Sequence, residues 1–119
     1  MTKIRKLFRQ GDVLFREITQ KEKSDLFNED EIKELSKSYK RFVVRVGESG
    51  NKHTLVAEQP FTILKGKYDD EDLVVEIKNG VGTLKHQEHK ALTIPRGTYQ
   101  VLIEREYDYL EGWEREVRD

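Results

Sequence analysis

Residues 73–89 read LVVEIKNGVGTLKHQEH, and the choice of fold turns on them. The run Leu73 to Lys78 is rich in β-branched residues and meets Asn79-Gly80, the dipeptide best suited to the positive φ angles of a two-residue hairpin turn. A tight turn there pairs Lys78 with Val81, Ile77 with Gly82 and Val75 with Leu84. Carried further, that register sets His86 opposite Leu73, at the far end of the hairpin.

The flanking segments extend this pattern. Residues 12–18 alternate Val13, Phe15 and Glu17 against Leu14, Arg16 and Ile18, and residues 42–48 place Phe42, Val44 and Val46 on one face. Segments 53–58 and 61–65 are short strand candidates separated by Pro60. Pro95-Arg96-Gly97 is a second turn, leading into the longest predicted strand, 98–107, where Tyr99, Val101, Ile103 and Tyr107 share a face. Short strands punctuated by Gly and Pro predict a mainly β fold, a small antiparallel β-barrel or sandwich. One amphipathic helix joins it over 29–41. Asn28 and Glu31 form its capping box, Phe27 and Ile32 occupy the staple positions, and Ile32, Leu35 and Tyr39 form an apolar stripe.

Composition bounds the rest. Charged residues make up 38% of the chain, well above the roughly 25% of an average domain, which implies a small core beneath a heavily charged surface. The 119 residues suffice for one domain, 1–119. Lys and Arg total 22 against 23 Asp and Glu, so no global basic field draws in nucleic acid. Residues 1–10 form a basic N-terminal segment through Lys3, Arg5, Lys6 and Arg9. Residues 109–119, with Leu110, Trp113 and Val117 at helical spacing, form an acidic docking tail. Asp69-Asp70-Glu71-Asp72 lacks the ligand spacing of a calcium loop and reads as solvated. The absence of cysteine removes disulfides and thiolate chemistry. With no signal-like segment and no apolar run near ~18 residues, a soluble cytoplasmic protein is expected, in the host cytoplasm if viral, with no membrane partner.

Histidine is the feature that points toward chemistry. All three stand in two turn-flanked places, His53 after a Gly-rich turn and His86 and His89 around Gln87-Glu88. Two imidazoles three residues apart converge in a tight turn. If the fold brings His53 to them, they make a three-ligand site for zinc, manganese or iron. Glu88 is the candidate catalytic carboxylate, orienting a ring or acting as general base, with Glu48 and Glu58 also nearby in sequence. The competing reading is equally simple: histidines in polar turns often face solvent and bind nothing.

Four strings carry a resemblance: Gln10-Gly11-Asp12-Val13; Gly47-Glu48 with His53; His86-Gln87-Glu88-His89; and Pro95-Arg96-Gly97-Thr98-Tyr99-Gln100-Val101 through Arg105-Glu106-Tyr107-Asp108. Together they resemble an uncharacterised family of small proteins from bacteria and their phages, and they span most of the chain outside the helix. Where that family shows Gly-His-x-His, this chain has Asn51-Lys52-His53, one candidate ligand fewer. The chain is also similar, more weakly, to the cupin barrels. Gly47 and His53 match the opening of the first cupin metal motif, with Leu55 at its second histidine. Pro95 and Gly97 match the second motif, with Gln100 at its histidine.

Three functions follow as expectations. The first is a metal-dependent hydrolytic site on His53, His86 and His89. The second is a non-catalytic binding or assembly module, with a protein partner or a second copy as a homo-oligomer. The third, nucleic-acid binding through the basic segment and strand aromatics, is disfavoured by the charge balance. A phosphate-binding loop is excluded, because Gly47-Glu48-Ser49-Gly50 lacks the Lys-Ser/Thr ending.

Overall fold

The computed structural model describes residues 6–47, 50–66 and 72–103. The strands are β1 (Leu7–Gln10), β2 (Val13–Glu17), β3 (Ser36–Val46), β4 (Lys52–Lys65), β5 (Leu73–Ile77), β6 (Gly82–Lys85), β7 (Leu92–Ile94) and β8 (Gly97–Ile103). Two helices, α1 (Gln20–Leu26) and α2 (Glu29–Leu35), lie between β2 and β3. All strand pairs are antiparallel, in the order β1-β2-β8-β5-β4-β6-β7, with β3 on the other edge of β4. The terminal strands β1 and β7 approach each other, so the sheet curls into a nearly closed barrel. The mainly β architecture expected from the pattern is present.

The 14-residue strand β4 organises it. Segments 53–58 and 61–65 are one strand rather than two, passing through Pro60 at an exposed corner. Proline is tolerated there because the ladder is already broken: β3 steps from Tyr39↔Phe61 to Arg41↔Val56 across the corner.

The Asn79-Gly80 hairpin does not form. β5 pairs with the C-terminal half of β4 (Lys65↔Leu73 to Thr62↔Glu76) and β6 with its N-terminal half (Ala57↔Gly82 to Thr54↔Lys85). Both run the same way along one edge of β4, so residues 78–81 bend the chain around the corner without reversing it. Gly80 has the positive φ expected of it (70°), but Asn79 does not, whereas a type I′ turn needs both central residues there. The register that set His86 opposite Leu73 is therefore wrong; Leu73 lies opposite Lys65 and Val101.

The helix predicted over 29–41 is also corrected. It ends at Leu35, and residues 36–41 belong to β3. The Asn28–Glu31 capping box is present, and Phe27 packs in one apolar cluster with Ile18, Leu64 and Val74, flanked by Leu26, Ile32 and Leu35. Between Leu35 and Phe42 the only apolar residue is Tyr39. Tyr39 instead sits opposite Phe61 and makes an edge contact with Phe42, centroids 5.0 Å apart. The second helix, α1, was not anticipated; Thr19 and Glu22 give it a capping box of its own.

The core follows the predicted alternation in β2 and β8, whereas in β3 the register shift between Val43 and Arg45 takes Val46, 53% exposed, off the face it was expected to share with Phe42 and Val44. Val13 and Phe15 from β2 meet Leu55, Ile63, Val75, Leu84, Ile94, Tyr99 and Val101 inside the barrel. Tyr99 buries its ring and donates its hydroxyl to the Pro95 carbonyl (2.8 Å), and burial pushes that phenol up to about 12. The ring lies over Gly97, where any Cβ would stand 3.0 Å from the Tyr99 oxygen. Of the basic segment 1–10, residues 7–10 form β1; residues 1–5, the strand end beyond Ile103 with Tyr107, and the tail 109–119 lie outside the described residues.

Helix α1 is tied to the sheet by ions. Lys23 Nζ lies 3.2 Å from Glu76 Oε1, both side chains mostly buried, and Gln20 and Thr98 donate to Glu76 Oε2. Burial alone raises the Glu76 pKa, but Lys23, Lys78 and the Thr98 hydroxyl outweigh it and hold the carboxyl below its ordinary 4.5. A carboxyl with a depressed folded pKa stabilises the native state above its unfolded pKa and loses that contribution as pH falls through the folded value. Urea titrations should therefore show stability declining below about pH 4.5, with Glu76→Gln flattening that decline at a cost in stability near neutral pH.

Candidate functional site

The pairing of β6 with β4 has a direct consequence for the histidines. Thr54 and Lys85 are the last paired residues, so one step further His53 and His86 stand side by side. Their ring centroids are 4.2 Å apart. The bend at 87–89 then returns His89 to the same place, 4.6 Å from His86 and 6.2 Å from His53. The fold thus gathers all three predicted residues at one end of the barrel. His53 is 3% exposed, while His86 is half-buried and His89 exposed.

The β1–β2 hairpin supplies groups that the search for ligands in the sequence missed. Gly11 and Asp12 form its two-residue turn, and the Gly11 φ of 59°, with Asp12 not positive, is the type II′ pattern. Gln10, 3% exposed, donates its amide nitrogen to the carbonyls of Leu84 and Lys90, each at 2.8 Å. With the nitrogen so committed, Oε1 faces His53 Nδ1 at 2.9 Å, and a carbonyl oxygen can only accept. Nδ1 must therefore carry a hydrogen, which leaves Nε2 with its lone pair in the neutral ring.

That lone pair faces Asp12 Oδ1 at 3.4 Å. The other carboxylate oxygen, Oδ2, accepts from Arg45 Nε at 2.9 Å. A register shift between Val43 and Arg45 turns Arg45 to the side on which His53 points; without it, alternation would send Arg45 to the opposite face. Burial first, with His86 and His89 assisting against the pull of Asp12, lowers the His53 pKa below 6.5. In the neutral ring, Nε2 and the Asp12 oxygen are two electron-pair donors facing each other.

The loop 86–90 is held from two sides. Gln87 Oε1 accepts from the Lys52 backbone N–H (2.8 Å), and the Glu88 N–H donates to His86 Nδ1 (3.0 Å). The neutral His86 ring consequently presents Nε2–H. The Glu88 side chain is exposed, and its carboxylate makes no hydrogen bond or ion pair among the described residues. Glu58 is exposed at the β4 corner and lines a different hollow, with Val81 and Gln59; Glu48 lies outside the described residues. Among the described residues no three His, Cys, Asp or Glu side chains already stand as a chelating group.

Gly11 completes the site by what it lacks. A Cβ there would lie 2.8 Å from His89 Nε2 and 3.3 Å from His53 Cε1, so the space between these two rings exists only because residue 11 has no side chain. The positions suggested by the cupin similarity do not join it. Leu55 is in the core, and Gln100 is bonded to Arg16 (2.6 Å) and Asp72 (3.4 Å).

Residues 9–104 match a family described as a domain of unknown function, DUF8820. The chain belongs to that family. The matched region contains the Gln10-Gly11-Asp12 turn and all three histidines, so the cluster lies within the family's own domain. No curated protein and no solved structure matches the chain. Among the described residues no helix is long and apolar enough to cross a membrane.

Gly11→Ala tests how far the cluster depends on this turn. The left-handed φ alone should cost about 1–2 kcal/mol, and the added methyl should displace His89 while leaving His53 bonded to Gln10. Denaturant titration measures the first effect. Imidazole NMR shifts, with His89 moving more than His53, measure the second.

Proposed function

We propose that the histidine cluster of this DUF8820 domain is a divalent transition-metal centre, with zinc, manganese or iron as the fitting ions. The observation that carries this reading is the facing pair, His53 Nε2 and Asp12 Oδ1 at 3.4 Å. A cation between two such donors relieves their repulsion, and Gln10 on Nδ1 is the kind of outer partner that orients a ligating imidazole. The His53 and His89 rings, stacked with centroids 6.2 Å apart, are the two imidazoles proposed to join Asp12 around the ion.

His89, exposed on its bend, supplies the third ligand by a small movement toward Gly11. His86, with Nδ1 accepting from Glu88, serves as an N–H donor to whatever the ion binds. Asp12, His53 and His89 would hold the ion, which would supply a Lewis acid and an acidified water at its open position, the chemistry that hydrolysis of an ester or phosphodiester requires. Glu88, between His86 and His89 in the sequence, is the base proposed for that chemistry.

A binding or assembly module is the second reading, and β3 is the observation that bears on it. Its outer edge pairs with no other strand among the described residues and is long enough to accept one. Two register shifts and the charges of Lys37, Lys40 and Arg41 are devices that discourage edge-to-edge pairing, so the metal centre is preferred.

Elemental analysis of untagged protein after reconstitution should find about one equivalent of metal, as for a single site. Asp12→Asn and His89→Ala should abolish stoichiometric binding, while His86→Ala weakens it less. Absence of bound metal in the unaltered protein sinks the reading, and equal binding by all three variants sinks this ligand assignment.

A further inference from the structure

On the opposite face of the same strands lies a second constellation. Arg41 from β3, Lys52 and Thr54 from β4, and Lys85 from β6 line an open hollow of about 270 Å³, together with His86 and Gln87. The pairing explains the convergence. Thr54 stands between Val43 and Lys85 on neighbouring strands; Lys52 is two residues along on the same face, and Arg41 is one row over, opposite Val56. Three cations from three adjacent strands thus ring one threonine. None of them makes an ion pair among the described residues.

Thr54 is the second observation. It is 6% exposed and lines the hollow, yet its hydroxyl makes no hydrogen bond among the described residues. A buried hydroxyl without a partner is costly and uncommon in folded proteins. Gathering like charges around it adds to the cost, since neighbouring cations on one sheet face repel. An oxyanion removes both penalties at once: it accepts from the hydroxyl and from the three cationic groups, the guanidinium matching two of its oxygens.

We infer that this hollow is a binding site for the phosphate group of a phosphate ester. The assignment rests on Arg41, Lys52, Thr54 and Lys85 and needs no metal. Because His86 borders both places, the bound phosphate lies at the margin of the histidine cluster. Under the metal-centre reading, this names phosphate esters as the substrate class.

The test uses the full chain, free of metal, titrated with inorganic phosphate, adenosine monophosphate and a short single-stranded oligonucleotide, followed by amide NMR shifts. Binding should move the Thr54, Lys85 and Gln87 amides and weaken with added salt. Each of Lys52→Ala, Lys85→Ala and Arg41→Ala should cost about tenfold in affinity, and Thr54→Val a smaller factor, with the fold unchanged by circular dichroism. Saturation by the mononucleotide identifies a small phosphate ester; saturation by the oligonucleotide alone identifies a strand backbone as the source of the phosphate. No binding by any probe, or binding indifferent to all four substitutions, overturns the assignment. Metal content measured on the same variants should be unaltered, so failure here and failure of the metal centre are read separately.

Discussion

The structure depends on one strand having two different partners along a single edge. β4 is long enough to bend at Glu58-Gln59-Pro60 and still offer a full ladder on either side of the bend. β5 takes one half and β6 the other, and the curl of the sheet follows from that division. So does the chemistry. Because β6 runs beside the N-terminal half of β4, His86 falls next to His53, and the short return to β7 brings His89 back over Gly11. A hairpin between β5 and β6 would have carried His86 to the other end of the molecule.

Much of the fold was legible from residue patterns. The alternation of Val13 and Phe15, and of Tyr99 and Val101, picked out residues that share a face, and those faces turn inward, since burial on one side of a pleated strand imposes a period of two. The Asn28–Glu31 box located a helix start for a reason equally local. What failed was non-local. Asn79-Gly80 is an excellent hairpin turn in isolation, but the open edge of β4 offers both flanking segments more pairing than they offer each other. The helix over 29–41 failed likewise. Residues 36–41 have no strong preference of their own, and the partner that makes them strand lies some twenty residues downstream in β4.

The site was half legible for the same reason. Histidine is rare enough in this chain that its placement drew notice, and the three rings do meet. Gln10, Asp12 and Arg45 went unassigned because their roles depend on a hairpin 40 residues before His53 and on a bulge that alternation does not foresee. The string Gln10-Gly11-Asp12 stood out only through family resemblance. Its physical meaning is now explicit: an amide that fixes a tautomer, a missing side chain that leaves space, and a carboxylate that faces the lone pair.

Gln10 also has a mechanical consequence. Between β1 and β7 the barrel has no ladder, and the amide of Gln10 spans that gap by bonding to Leu84 and Lys90 on the far side. The seam of the barrel and the wall of the histidine cluster are therefore the same few bonds. An ion shared by Asp12 on one lip and by His53 and His89 on the other would act as a clasp. Ligand binding and barrel closure would then be a single thermodynamic event, with tighter occupancy felt as slower opening of the first strand and the last turn.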